Sequence, residues 1–482
     1  MTSSPQKEFR WYEGLAILFG MIGIQLMSEI LALWGTYFYS PPPDSGRIVY
    51  VSIGMASVIF AVGSIFDAIT DPLVGAWSDQ TRTTPGWGRL IPLRGRRRPF
   101  IFWGGLMMVG TSVLFWYPPV PHESAANLIY GCLMLCLHWF AFTIAMVPLN
   151  SLAPEIARSQ EGRIRIGQWV AIGMIVGLAI ANIAPAMLLE PLDTGRAAAN
   201  AAGDVISPQG YRNVALLFGI ISLVCFWFPV FAIRERYEHV EGANATATIR
   251  ELVQALTNRV FVMYLLAFFC FSIGLLATQR ALPYWITVGL GQKEEALTML
   301  MGPFIVSALV SSVLFMPLLS KRLKPKWLLF LSFVLMSLAM PAMYPVAIAP
   351  IDGNTKLLLG AVLFSISGLG QGIQYVVIVS LLGEIIDLDE QRRGERREAV
   401  YNGASGLAFK VGQAFSVIVA AQSMNVFGNT PNEPLGIYLV GPIAGMFALA
   451  GMVVVWFYPV LHVTPATAAE VVRSSRDRPT EP

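Results

Sequence analysis

The chain has 482 residues, of which 55% are hydrophobic and only 13% are charged, and its formal net charge is +3. A soluble protein carries roughly 25% charged residues, so this composition excludes an ordinary soluble domain. The small net charge gives no reason to expect a nucleic-acid partner.

Long apolar runs predict an all-α membrane protein with twelve membrane-spanning helices. A hydrocarbon core about 30 Å thick requires around 20 mainly apolar residues per helix. Runs of this kind lie near residues 12–39, 49–76, 99–118, 126–152, 164–189, 213–233, 260–288, 297–319, 327–349, 355–384, 398–426 and 437–460.

The polar segments predict two bundles and their orientation. We expect an N-terminal six-helix bundle over residues 1–233, a central cytoplasmic loop over 234–259, a C-terminal six-helix bundle over 260–460 and a cytoplasmic tail over 461–482. If Met1 is inside, the inside segments contain 26 lysines and arginines and the outside loops five. Because cytoplasmic loops retain these cations, both termini are predicted to be cytoplasmic.

A short internal repeat favours two related halves. The segment Ser151-Leu-Ala-Pro-Glu155-Ile156 ends the fourth predicted span, and Ser380-Leu-Leu-Gly-Glu384-Ile385 ends the tenth. These spans hold the same rank in their halves, as a duplicated six-helix unit requires.

Three charged residues inside predicted spans are the candidates for cation coupling. Asp67 and Asp71 lie four residues apart in span 2, so they project from one helical face. Lys410 lies about twelve residues into span 11. A charge in the bilayer centre costs roughly 2.5–3.5 kcal/mol on insertion scales, so it is usually paired and functional. Lys410 is expected to neutralise the aspartates until a cation displaces it; a purely structural salt bridge is the alternative.

Other polar side chains within spans are candidates for substrate binding. Glu29 and Arg280 are predicted in the outer halves of spans 1 and 7, where they either pair as a gate or bind substrate; a snorkelling or structural role is the alternative. The uncharged candidates share a capacity to hydrogen-bond a hydroxylated solute, although hydrogen bonding between helices is the default role of such groups. They are Gln25, Gln168, Gln371, Gln374 and Asn402.

Charged residues at predicted helix ends are candidates for gating. An aspartate followed by an arginine cluster between spans 2 and 3 is able to form a latch, besides marking the cytoplasmic side. The predicted gating residues are Asp79, Arg96, Arg97, Arg98, Glu155, Glu384 and Asp387.

These motifs resemble a known family. The run from Asp67 through Asp71-Pro-Leu-Val-Gly-Ala-Trp-Ser-Asp79, followed by Gly95-Arg-Arg-Arg-Pro-Phe100, is similar to the signature of the glycoside–pentoside–hexuronide:cation symporters, a group within the major facilitator superfamily. A second signature is present in Arg396-Arg-Glu398-Ala and Phe409-Lys410-Val-Gly412. The Gly-Arg-Arg-Arg-Pro segment also resembles sucrose:proton symporters. The resemblance implies the major facilitator fold, with Asp67, Asp71 and Lys410 at the cation site.

Departures from one member, melibiose permease, bear on the coupling ion. Its sugar-binding aspartate of span 1 is replaced by Gln25, its span 4 aspartate aligns with Met146, and its span 5 arginine aligns with Gln168. With fewer carboxylates to coordinate a metal cation, the expected coupling ion is a proton rather than sodium.

The sequence therefore predicts a secondary transporter that carries a sugar, glycoside or similar small polar solute in symport with a cation by alternating access. A non-sugar solute, or a non-transporting receptor built on the same scaffold, is the alternative. We expect no enzymatic activity, cofactor or metal site, because no zinc-ligand cluster, nucleophile–histidine pair or phosphate-binding loop is present in the sequence. The predicted partners are the small-molecule substrate and the lipid bilayer, with no nucleic acid. The protein is predicted to be a monomer in the cell inner membrane.

Overall fold

The computed structural model describes residues 10–80, 97–156, 160–194, 206–233, 254–393 and 397–459. Twelve helices within these ranges are long and apolar enough to cross a membrane. In the first half they are α1 (Trp11–Tyr39), α2 (Ile53–Gln80), α3 (Arg98–Phe115), α4 (Ala125–Ile156), α5 (Gln160–Leu188) and α6 (Gln209–Ala232). In the second half they are α7 (Arg259–Gly289), α8 (Glu294–Leu319) and α9 (Pro325–Ile348), followed by α10 (Gly353–Arg393), α11 (Glu398–Phe427) and α12 (Leu435–Phe457).

The prediction of twelve spans is confirmed, with each helix at the expected place. The largest difference is at α10, which continues to Arg393 although its apolar run ends near residue 384. The added segment contains no Gly or Pro and is rich in Glu, Leu, Gln and Arg, which are good helix formers. Hydropathy therefore marks where the apolar part of the helix ends, and helix propensity carries the helix further.

Three helices of the second half are irregular, and prolines account for much of this. In α7 Pro283 precedes a turn of π-helix, Trp285–Gly289. In α8 a second π-turn, Ser311–Phe315, is followed by Met316–Leu319. Helix α9 is interrupted near Pro341 and resumes at Met343–Ile348. Proline removes a backbone donor and clashes with the preceding turn, so the helix must bend or rewind there.

Close packing of α1 against α5 depends on small residues. Gly173 and Gly177 lie four residues apart on α5, on one face of that helix. A Cβ atom at Gly177 would lie 2.7 Å from the Cβ of Gln25 on α1. Small residues at such a spacing let two membrane helices approach closely.

The two sets of six helices meet where α1 packs against α7 and along two further contacts, α2 with α11 and α5 with α8. Corresponding helices of the two halves differ by six in number, so α2 and α11 correspond to α8 and α5. The two further contacts are therefore equivalent, as two related halves require. The predicted domain boundaries stay predictions, and most of the central loop and tail lies outside the described residues.

The two ends of the bundle are distinguished by what they carry. We call the end with the α1–α2, α7–α8 and α9–α10 connections the loop face, and the end with the two chain ends the terminal face. Many large apolar side chains are exposed on the outside of the bundle, among them Ile129, Val224, Leu338 and Phe457. An apolar belt of this kind is suited to contact with lipid.

Candidate functional site

A cluster of charges joins the two halves at the contact between α2 and α11. The Nζ atom of Lys410 on α11 lies 2.7 Å from Oδ2 of Asp67 on α2 and also contacts Oδ2 of Asp71 directly. Asp67 is buried, and Asp71 is partly exposed. Removing two carboxylates and an ammonium group from water is costly, and their mutual attraction offsets that cost only in good geometry. The structure thus brings together the three residues predicted for cation coupling.

Thr143 on α4 completes this cluster. Its hydroxyl lies 2.7 Å from Oδ1 of Asp71 and 3.1 Å from Oδ1 of Asp67. A hydroxyl has one proton to donate, so Thr143 serves one aspartate at a time. Sequence reasoning did not select Thr143, because threonine is common in membrane helices and often bonds only its own backbone.

A cavity of about 320 Å³ lies between the two halves. Its size is at the lower end of the range for small-molecule sites. Its walls come from six helices, α1, α5, α7, α8, α10 and α11. The charge cluster does not line it, but Phe409 and Gln413 on α11 do, and Lys410 follows Phe409 directly. One helix therefore carries both a cavity wall and the cation of the cluster.

Four of the predicted substrate-binding residues line this cavity: Glu29, Arg280, Gln371 and Gln374. Arg280 is 4% exposed, and its Nη1 donates to the carbonyl of Ala32 at 3.2 Å. Its guanidinium also lies over the ring of Phe60, 5.5 Å from the centroid. The expected gate between Glu29 and Arg280 is not a direct ion pair, although the two charges interact across the cavity.

The other three predicted substrate-binding residues do not line the cavity. Gln168 on α5 and Asn402 on α11 are exposed, seven residues before the lining residues Ile175 and Phe409, respectively. Seven residues are close to two turns, about 10.5 Å, so both lie on the cavity side of their helices but nearer the terminal face. Gln25 lies one turn from Glu29, against α5.

The structure describes only some of the predicted gating residues. Arg96 and the side chains of Asp79 and Glu155 lie outside what the structure describes. The Nε atom of Arg98 donates to the carbonyl of Val230 at 2.5 Å, which ties α3 to α6. Arg97 is buried beside it.

The second-half gating candidates, Glu384 and Asp387, are partly exposed on α10. The ion pair near that end of α10 joins Asp389 and Arg397, whose Oδ2 and Nη2 atoms lie 2.6 Å apart. Sequence reasoning did not single out Asp389, because a charge near a helix end is usually solvated.

At the loop face the halves are held together above the cavity. The hydroxyl of Tyr284 on α7 lies 2.7 Å from the carbonyl of Ser40 and 3.1 Å from that of Thr36, and its ring packs edge-on against Tyr37. Tyr284 lies one turn beyond Arg280, so these contacts close the cavity at the loop face.

A buried ion pair adds to this closure. Nη2 of Arg47 lies 2.8 Å from Oε1 of Glu294, with 9% and 7% of the two side chains exposed. Gly46, with a φ of 69°, turns the chain ahead of Arg47, and the Arg47 guanidinium lies over the ring of Tyr211. The second ion pair across this face, Lys293 with Glu190, is exposed.

The Arg47–Glu294 pair gives a testable expectation. Breaking a buried pair leaves one charge uncompensated, whereas removing both charges does not. We expect Arg47→Gln or Glu294→Gln alone to lower the Tm of the purified protein by about 3 °C or more, and the double variant to recover part of that loss. Lys293→Gln is the control and should change the Tm little, because exposed pairs contribute about 0–1 kcal/mol. Strictly additive losses in the double variant would contradict this account of the closure.

Comparison with solved structures identifies the fold. The chain is similar to a bacterial homologue of the lysosomal transporter Spinster, with a TM-score of 0.66 and 13% identity over 96% of this chain and all of the other. It is also similar to the nucleoside transporter NupG, with a TM-score of 0.61 and 12% identity over 93% of this chain and all of the other. The fold is that of a major facilitator transporter.

The family follows from the sequence comparisons. The chain belongs to the MFS/sugar transport protein family, whose model it matches over residues 16–461. The symporter YjmB of Bacillus subtilis is 24% identical over 89% of this chain and 86% of its own. A glucuronide carrier protein homologue of Escherichia coli is 20% identical over 85% of both chains. A lactose permease of Lactobacillus helveticus is 22% identical over 72% of this chain and 52% of its own. The resemblance to glycoside–pentoside–hexuronide:cation symporters is confirmed.

Proposed function

We propose that this protein is a proton-coupled symporter that carries a sugar or glycoside across the bacterial inner membrane by alternating access. One observation carries the proposal: Lys410 of the second half bridges Asp67 and Asp71 of the first half, on a helix that also lines the cavity. A change in the charge of this cluster acts directly on the contact between the halves, and the solute acts on the same helix.

The charge balance of the cluster suggests how coupling works. Two ionised aspartates and one lysine leave one uncompensated negative charge, which a single proton removes. A neutral cluster has a smaller desolvation cost when it moves through the low-dielectric interior. Protonation of Asp67 or Asp71 also weakens its electrostatic attraction to Lys410. The halves then become free to rearrange with solute bound.

The donor set favours a proton over a metal cation. Hard cations are held by several oxygen ligands. Here the oxygens are those of two aspartates and Thr143. Lys410 contacts one oxygen of each carboxylate, and the Thr143 hydroxyl donates to one of the two others. A proton needs only one carboxylate oxygen. We therefore assign the cluster the role of proton site.

The orientation of the chain gives the direction of opening. With both termini in the cytoplasm, as the lysine and arginine distribution favours, the loop face is extracellular. The contacts of Tyr284 and the Arg47–Glu294 pair then close the cavity to the outside. This is the arrangement from which a carrier releases solute into the cell.

The polar cavity residues support a hydroxyl-rich solute. Glu29 supplies a hydrogen-bond acceptor, Arg280 supplies donors, and the amides of Gln371 and Gln374 supply both. Relatives named as a glucuronide carrier homologue and a lactose permease support a sugar or glycoside.

External pH in a weakly buffered suspension of cells expressing the protein tests the proposal. Glycosides, pentoses and uronates are added one at a time, without sodium. We expect alkalinisation with the transported solute, because protons enter with it, and loss of the signal with a protonophore. Uptake of a labelled solute without any pH change, but with a requirement for sodium, would contradict proton coupling.

A further inference from the structure

The cavity is polar at one end and apolar at the other. Along α7 its wall runs from Arg280 to Phe268, and along α10 from Gln371 to Val379. On both helices the charged and amide side chains lie toward the loop face, and the lining toward the terminal face is apolar except for Ser272 on α7 and Ser312 on the neighbouring α8 span. Twelve residues of helix separate Arg280 from Phe268, which corresponds to about 18 Å. A single sugar ring fills only part of that length.

The described residues close the polar end and leave the apolar end open. Gln371 is 3% exposed and Gln374 1% exposed, and Tyr284 covers this end from the loop face. At the other end Val379 is 71% exposed and Phe409 36% exposed, although both line the cavity. A solute that enters from the open end must therefore place its polar part deepest.

The closed end has polar atoms without partners. Within the described part of the chain, Nε of Arg280, Oε1 of Gln371 and both side-chain polar atoms of Gln374 are buried and make no hydrogen bond. A buried polar group without a partner is unfavourable until a ligand or water satisfies it. Donors and acceptors are both present, and the Glu29 carboxylate lies in the same wall. Hydroxyl groups, which donate and accept, match this set.

The open end offers an aromatic and aliphatic surface. The rings of Phe268 and Phe409 stack with centroids 5.6 Å apart and an interplanar angle of 20°. Phe271, Leu309 and Ile378 continue this surface along the cavity. Such a surface favours contact with an apolar group over contact with a second hydroxylated ring.

We infer that the cavity takes an amphipathic glycoside, with its sugar against Glu29, Arg280, Gln371 and Gln374 and its apolar aglycone along Phe268 and Phe409. This inference rests on the proposed function and names the solute class more narrowly. The closed end recognises the sugar, and the aromatic surface favours the glycoside with an apolar aglycone over the free sugar.

Binding of matched glycosides to the purified protein tests the inference. The probes are the methyl and phenyl glycosides of the same sugar, taken in turn for glucose, galactose and glucuronic acid, and Kd is measured by calorimetry. We expect the phenyl compound of the preferred sugar to bind about tenfold or more tightly than the methyl compound, because its ring is removed from water. Phe409→Ala should abolish most of this difference while changing the methyl glycoside's Kd by less than about twofold. Val379→Ala removes less of the surface and should give a smaller loss of the same kind.

Two further variants give the comparison its control. Phe415 lies on the same helix as Phe409 but packs against Phe269, outside the cavity lining. Phe415→Ala should therefore leave both Kd values unchanged. Gln374→Leu should weaken both compounds alike. Equal binding of methyl and phenyl glycosides, or equal losses for both in Phe409→Ala, would overturn the inference and leave sugar symport intact. Failure of every glycoside and free sugar to bind or to alkalinise the medium would overturn the proposed function and this inference with it.

Discussion

Asp67→Asn is expected to abolish accumulation of solute against its gradient and to leave exchange of solute across the membrane. The asparagine amide has nearly the shape of the carboxylate, so packing at this buried position is kept. It does not titrate in the relevant pH range, so it cannot take up and release the coupling proton. Without coupling free energy between proton and solute, the accumulation ratio falls to about one.

Two assays separate coupling from folding. Uptake of labelled solute into energised cells measures accumulation, and counterflow in proteoliposomes measures exchange. Asp352→Asn is the matched control: Asp352 is an exposed aspartate that caps α10 by accepting a hydrogen bond from the Thr355 backbone at 2.9 Å, and asparagine caps equally well. Wild-type accumulation by Asp67→Asn would remove the coupling role from this residue.

Lys410→Ala is expected to have the largest effect on stability. It leaves the Asp67 and Asp71 carboxylates without a cation, and loss of one partner from a buried pair costs about 3–5 kcal/mol. A second substitution that neutralises an aspartate should restore part of this loss. Because Asp67 is the more buried of the two, Asp67→Asn should rescue Lys410→Ala more than Asp71→Asn does.

The Tm of the purified variants and their yield in the membrane measure this effect. Lys321→Ala, at an exposed lysine, is the control and should behave as the wild type. We expect both double variants to be recovered in the membrane but to lack accumulation. If neither double variant exceeds Lys410→Ala in Tm, the three charges do not stabilise one another in the manner inferred here.

The sequence predicted much of the fold because the bilayer constrains it so strongly. Twelve apolar runs of sufficient length correspond to twelve helices. The cluster of Asp67, Asp71 and Lys410 was also foreseeable, because charges within apolar runs are few and must find partners. Their spacing on α2 gave the shared face, and the charge signs gave the pairing.

Other parts of the site depend on tertiary contacts that local patterns do not encode. Thr143 acts through its position opposite α2, which no spacing within α4 reveals. Arg47 and Glu294 lie 247 residues apart, and no spacing within either segment indicates that they pair. The ion pair of Asp389 with Arg397 depends on where α10 ends, and hydropathy placed that end too early.

The level of a residue along its helix was harder to predict than the helix face on which it lies. Gln168 and Asn402 lie on the cavity side of α5 and α11, as the helical period indicates, but about two turns from the lining residues. Hydropathy fixes the position of a span in the bilayer only to within several residues. The level at which α7 and α10 bring Arg280, Gln371 and Gln374 together depends on how these helices pack against each other, which no pattern within either helix gives.

Solute uptake by proteoliposomes under an imposed pH gradient tests the central claim most directly. The purified protein is reconstituted without sodium, the interior is made alkaline, and the solute found by the pH screen is supplied outside. We predict transient accumulation above the external concentration, abolished by a protonophore and absent in Asp67→Asn. Accumulation that follows an imposed sodium gradient and ignores the pH gradient would contradict the assignment of Asp67, Asp71 and Lys410 as a proton site.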